Sequence, residues 1–172
     1  MTEKFETVLL GRYPYENEED LRPIEWLVLE ERDGCRLLLS KYNLQCWSYH
    51  VRQSVTWEKS DLRGLLNEVF YPEAFSEEEQ DKILKAAVDG VCDRVFLLSV
   101  EEARWYFCDD EERVTIPTPY ACRRGARQGW WLRDRGMNGG YAADVLENGE
   151  VCPEGEEVYE PGGVRPALWV RI

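Results

Sequence analysis

Only one histidine, His50, occurs in the 172 residues, and none of the six cysteines stands in a C-x-x-C pair. A structural zinc site draws on such pairs or on a second imidazole, so no metal is expected. His50 lies in "CWSYHVRQS", without the G-x-S-x-G turn that would present a serine nucleophile, and Ser48 and Ser54 are near it only in sequence. No apolar run approaches the ~18 residues of a spanning helix. The start "MTEKFETVLL" has neither the basic segment nor the apolar centre of a secretory signal. The expectation from these absences is a soluble cytoplasmic chain whose cysteines are mostly reduced thiols.

Positive charge is also scarce, with 21 Lys and Arg against 34 Asp and Glu and a net charge of −13. Such a field repels phosphate backbones and anionic lipid, which excludes nucleic acid and membrane surfaces as general partners. One stretch departs from the average: Arg123, Arg124, Arg127, Arg133 and Arg135 stand against Asp134 alone between positions 123 and 135. Guanidinium groups in such a patch can receive a carboxylate, a phosphate or an acidic protein surface in bidentate fashion. The competing expectation is internal, with arginines bridging the chain's own acidic loops, and it is favoured for Arg133 and Arg165. The acidic run "CDDEER" at 108–113 lacks the alternating oxygen ligands and glycine turn of a calcium loop, so a solvated loop is expected there.

What the chain has in quantity is aromatic bulk: seven Trp, nine Tyr and five Phe. Each can bury about 150–250 Å², and one domain with one core follows from the length. The segments "TVLLGRY", "IEWLVLEE" and "CRLLLSKY" read as strands, the last two flanking Asp33-Gly34, a dipeptide suited to a tight hairpin. "SDLRGLLNEVFY" places Leu62, Leu65, Leu66, Val69 and Phe70 on one helical stripe. Capping boxes at Ser76/Glu79 and Ser99/Glu102 predict helices over "QDKILKAAV" and "VEEARWYF", with "RVFLLS" as a strand between them. Thr118 with Pro119 opens a further turn that Gly125 ends. From Gly129 onward glycines recur too often for long helices. "VLENGEVC" reads as a hairpin around Asn148-Gly149, and "GVRPALWVRI" as a terminal strand with Pro166 at its start. Strand alternation predicts that Trp130 and Trp131 face opposite ways, one into the core and one outward. The fold class is α+β.

Taken in order, "LLGRYP", "IEWLVLE", "LLLSKY", "TWEKSDLRGLLNEVFYPEAFSEEE", "VFLLSVEEARWYF", "PTPYA", "WWLRD" and "GVRPALWV" resemble an uncharacterised family of bacterial domains. That family looks like a branch of the C-type lectin fold, related to formylglycine-generating enzymes and to the variable proteins of diversity-generating retroelements. The resemblance implies a small antiparallel sheet whose first and last strands pair, flanking helices, and a glycine-rich loop region from Gly129 to Gly163 that carries the ligand surface. The chain departs from the enzymes of that group, whose nearby cysteine pair binds copper, since Cys122 and Cys152 are thirty residues apart. It also lacks the Glu-Pro-Asn, Gln-Pro-Asp and Trp-Asn-Asp elements with which sugar-binding C-type lectins hold calcium. Oxidase activity is therefore not expected, and no catalytic residue, cofactor or metal is assigned.

The leading expectation is a non-enzymatic domain that binds a macromolecule, a protein foremost, through loops held out by a rigid scaffold. Its candidate ligand-binding residues are Arg123, Arg124, Arg127, Trp131, Arg133, Arg135, Asn138, Tyr141, Asp144, Glu147, Asn148 and Glu150, with diversified positions among them if the retroelement likeness holds. The alternative is an assembly module that uses the same surface to form a homo-oligomer. An enzyme ranks third.

Overall fold

The computed structural model describes residues 4–52 and 54–172. Its first half is organised by a hairpin. Asp33 and Gly34 both take positive φ, 52° and 72°, the backbone that joins strands in a two-residue turn. They link β2 (Leu21–Arg32) to β3 (Cys35–Ser40) in antiparallel register. β1 (Thr7–Pro14) pairs with the outer edge of β2, and the last strand, β11 (Ala167–Arg171), with the outer edge of β3. The sheet order is β1-β2-β3-β11, so the expected pairing of first and last strands is corrected. β2 is hydrogen-bonded along both edges and the tight turn obliges β3 to lie beside it. β11 takes the outer edge of β3 rather than that of β1, so β1 and β11 end on opposite sides of the sheet. Pro166 directly precedes β11, as expected, and its carbonyl accepts the Ser40 N–H at 2.9 Å.

Against this sheet packs a helical run made of α1 (Asp61–Gly64), a widened π-type turn (Leu65–Phe70) and α2 (Tyr71–Ala74), opened by the Ser60 side chain. Leu62, Leu66, Phe70 and Ala74 are its buried positions, while Val69 is exposed and Leu65 half-buried. The wider turn takes more residues per revolution. A buried stripe therefore recurs at every fourth residue, and Val69 turns outward from the stripe expected of a regular helix.

α3 (Glu77–Lys82) carries the expected Ser76–Glu79 capping box but stops at Lys82. The helix expected to run through Val88 gives way to a second hairpin, β5 (Ala86–Val88) and β6 (Val91–Asp93). Asp89 and Gly90 turn it with φ of 47° and 84°. "RVFLLS" is buried but is no ladder strand, with Phe96 alone bridging Ala167. Its backbone is taken up by side chains and single contacts: Asn67 Oδ1 accepts from the Arg94 and Val95 amides at 3.0 Å each, and the Leu98 carbonyl accepts the Arg133 N–H. α4 (Val100–Tyr106) has its predicted capping box. The expected solvated loop at 108–113 is instead a helical turn, α5 (Asp110–Arg113), capped by Asp109 and ending on a buried arginine. α6 (Pro119–Arg123) is capped by Thr118, and Gly125 follows at φ 106°.

In the second half β7 (Trp130–Arg135), β8 (Tyr141–Val145) and β9 (Val151–Glu157) form an antiparallel sheet with β8 in the middle. β10 (Pro161–Val164) pairs with β4 (Gln45–Ser48) and so ties this half to the first. The predicted Asn148-Gly149 hairpin is present, with Gly149 at φ 88°. Much of the loop region expected from Gly129 to Gly163 is therefore strand, with Tyr141–Val145 in the centre of the sheet. Among the described residues no helix is long and apolar enough to cross a membrane.

Both neighbours of β8 bulge at the same level. Between the pairs Trp131↔Asp144 and Arg135↔Ala142, β7 has three residues opposite Ala143. Between Asp144↔Cys152 and Ala142↔Glu156, β9 has Pro153, Glu154 and Gly155 opposite that same residue. Bulges re-aim neighbouring side chains, and here they set the direction of Asp144. Gly155 permits the β9 bulge, with φ +77° and a position where a Cβ would lie 1.9 Å from the Ala142 carbonyl oxygen. Gly155→Ala should lower the unfolding free energy by about 2 kcal/mol or more, combining positive-φ strain with that collision. A urea titration reads this as a lower midpoint, and an unchanged midpoint would contradict it.

Candidate functional site

β10 lies across one face of the β7–β8–β9 sheet at very close range. A Cβ on Gly162 would sit 2.5 Å from Trp131 Nε1, and one on Gly163 would sit 2.3 Å from the Gly129 carbonyl oxygen. Two adjacent glycines are therefore what lets β10 approach, and a cavity of about 290 Å³ remains beside them. Its walls are Gly129, Trp130, Trp131 and Val145 on one side and Pro161 to Gly163 on the other, with Arg127, Leu146, Glu147 and Glu156 around the rim.

Trp131, Asp144 and Cys152 are direct cross-strand neighbours, so their side chains share the face that β10 covers. Trp131 is fixed by its indole N–H, which donates to the Trp47 carbonyl at 3.0 Å, and by an edge contact with Tyr49 at 5.7 Å. Asp144 has no such anchor: its Oδ1 is buried and accepts no hydrogen bond. Burial, reinforced by the nearby Glu156 carboxylate and only weakly opposed by the Cys152 thiol, pushes the Asp144 carboxyl up to about 6 from 3.8. An ionised carboxylate is an acceptor with several lone pairs to fill, and leaving it unfilled in a partly dry cleft is unfavourable. Among the described residues no group of three or more His, Cys, Asp or Glu is placed to hold a metal ion.

The twelve sequence-derived candidates divide. Arg127, Trp131, Asp144 and Glu147 line the cleft, and the rest lie elsewhere. Arg123 is paired with Glu16, and Arg124 donates to Gln45 Oε1 at 2.7 Å. Arg133 is 8% exposed and bonds Glu102 through two N–H groups at 2.8 and 2.7 Å, Asp89 at 3.2 Å and the Leu97 carbonyl at 2.9 Å. Burial pulls its pKa down, and the Glu102 carboxylate, with Asp89 and Asp134, outweighs that and holds it above its ordinary value. Arg133 is thus the internal bridge that was its alternative reading.

Arg135 is exposed at the end of β7. Asn138 and Asn148 accept from the Gly140 and Glu150 amides and so shape their own turns. Tyr141 donates to Glu157 Oε1 at 3.3 Å, and Glu150 is exposed at the hairpin. The basic cluster is one in sequence only.

Trp130 and Trp131 are each 2% exposed, which corrects the expectation that one would face outward. They do point to opposite faces, but both faces of β7 are covered. The Trp130 ring lies 4.9 Å from the Arg165 guanidinium, and its N–H donates to the Arg113 carbonyl. Arg165 is fully enclosed and bonds the Ser40, Lys41 and Arg113 carbonyls. Burial lowers its pKa to about 9.

Glu156 and the Gly162-Gly163 wall are cleft residues that sequence patterning did not single out. The glycine pair was the available signal, since two adjacent glycines entering a strand mark a close backbone approach.

Residues 33–172 match the family described as a domain of unknown function, DUF6273. The chain belongs to this family. The DUF6273 match begins at the Asp33-Gly34 turn and covers every wall of the cleft, whereas β1 and β2 precede it. No curated protein and no solved structure matches the chain.

Proposed function

We propose that this chain is a binding domain rather than an enzyme, and that the cleft between β10 and the β7–β8–β9 sheet is where it holds its ligand. The observation that carries this is Asp144: a carboxylate on the central strand with a buried oxygen left without a partner, beside Trp131 at the edge of a cleft. Buried polar groups are ordinarily satisfied, and a perturbed carboxyl in a cavity marks a functional position. A kinship with the C-type lectin fold is part of the proposal. It is supported by a last strand that returns to the amino-terminal hairpin and by a glycine-rich segment, 129–163, that forms the cleft.

A screen of ¹⁵N-labelled protein against cationic, neutral and anionic fragments tests the site. Shifts should concentrate on the Trp131 indole and on the Gly129 and Gly162 amides. Shifts confined to another surface, such as the α4 face around the exposed Trp105, would overturn it.

A further inference from the structure

We infer that the ligand presents a protonated amine or a guanidinium to Asp144. This rests on the cleft being the binding site and names the chemistry of its occupant. The cavity is rich in acceptors and poor in donors. Asp144, Glu156 and Glu147 all line it. Among the described residues Arg127 is the cation that lines it, with its guanidinium 4.0 Å from Glu147 and its side chain 83% exposed. Both wall tryptophans have spent their N–H groups inside the protein, Trp131 on the Trp47 carbonyl and Trp130 on the Arg113 carbonyl. The Trp130 ring is taken up on the other face by Arg165, so Trp131, beside Gly162, is the one whose ring offers a ligand the attraction of an aromatic face for cations. β10 pairs with β4 along one edge. An anion would find three carboxylates and little to donate to it, whereas an ammonium would pair with the Asp144 carboxylate, which lines the cavity. A volume of about 290 Å³ is at the small end of ligand sites, and suits the head of one side chain or a small aryl amine.

The groups facing Asp144 come from each packed element. β9 supplies Glu156 and Cys152, the β8–β9 turn Glu147, and the segment before β7 supplies Arg127. The β10 wall, Pro161 to Gly163, contributes no titratable side chain. A bound cation favours the ionised carboxylate, so amine affinity rises as Asp144 loses its proton around pH 6.

Three probes of one shape and different charge decide it: benzylamine, benzyl alcohol and benzoate, titrated against the whole chain while the Trp131 indole resonance is followed. Benzylammonium should bind at least about tenfold more tightly than the alcohol at pH 7.5. It should weaken by about tenfold at pH 5, one unit below the Asp144 midpoint. Asp144→Asn should remove the preference for the amine while leaving the weak binding of benzyl alcohol in place. Equal or tighter binding of the alcohol or of benzoate in the cleft would overturn the charge assignment while leaving the site standing. Failure of all three to reach the Trp131 resonance would overturn the site itself, and the assignment with it.

Discussion

Replacing Arg133 with methionine should lower the unfolding free energy by about 3 kcal/mol, the low end for breaking a buried ion pair because the Glu102 side chain is 30% exposed. Arg133 ties three elements together. Its guanidinium bonds Glu102 of α4, Asp89 of the β5–β6 turn and the Leu97 carbonyl, while its own carbonyl accepts the Tyr49 hydroxyl at 2.6 Å. Methionine leaves Glu102 and the half-buried Asp134 as uncompensated negative charges in one place. The paired variant Arg133→Met with Glu102→Met should recover part of the loss, since a buried pair roughly breaks even against apolar groups of similar size while the Ser99 N–H loses its Glu102 partner. Denaturant unfolding of the two variants checks this. A single-variant loss under about 1 kcal/mol would return Arg133 to the pool of free surface arginines.

Where a local signal was strong, the sequence spoke clearly. Asp33-Gly34 turns its hairpin, and the Ser76, Ser99 and Thr118 caps each open a helix at the expected residue. Asp89-Gly90 is the same turn chemistry, but its strands are only three residues each. Period-two alternation has no room to show in "AAV" and "VCD", and the preceding capping box pulled the expectation toward helix. The tryptophan pair failed for a different reason. Alternation gives the direction of a side chain, while burial depends on whether something covers that face. β10, brought in from far along the chain by two glycines, covers the second face of β7. The paired terminal strands came from resemblance alone; here β11 lies beside β3, with β2 and β3 between it and β1.

The site was legible as a neighbourhood but not as a set. Nothing local separates Asp144 from Asn148 or Arg124, each a polar residue in a glycine-rich or basic stretch. The difference is tertiary: opposed bulges on β7 and β9 hold Asp144 under β10, whereas Asn148 closes its own turn and Arg124 reaches Gln45.

The second large effect follows from that placement. Asp144→Asn should stabilise the ligand-free protein at neutral and alkaline pH and change it little in acid. Below the unfolded-state value of 3.8 both states of the wild type carry the proton, and ionisation has no effect on folding. Between there and about 6 the unfolded chain has released its proton and the folded chain still holds it, so stability falls as pH rises. Above about 6 both are ionised, and the full penalty of the buried charge persists. Asparagine keeps the shape and removes the charge. A residue that weakens its own protein at working pH, and would be improved by a neutral isostere, is held for something other than folding.

The most direct measurement is the melting temperature of wild type and Asp144→Asn at pH 5 and pH 8, each with and without saturating benzylamine. The variant should melt above the wild type at pH 8, and above it by about half as much at pH 5, where the unfolded chain has already released its proton and the folded chain still holds it. Benzylamine at pH 8 should raise the wild type and narrow the gap while leaving the variant nearly unmoved. A variant less stable than wild type at pH 8, or a ligand that raises both proteins equally, would contradict the assignment of Asp144 as the cation-binding carboxylate of the cleft.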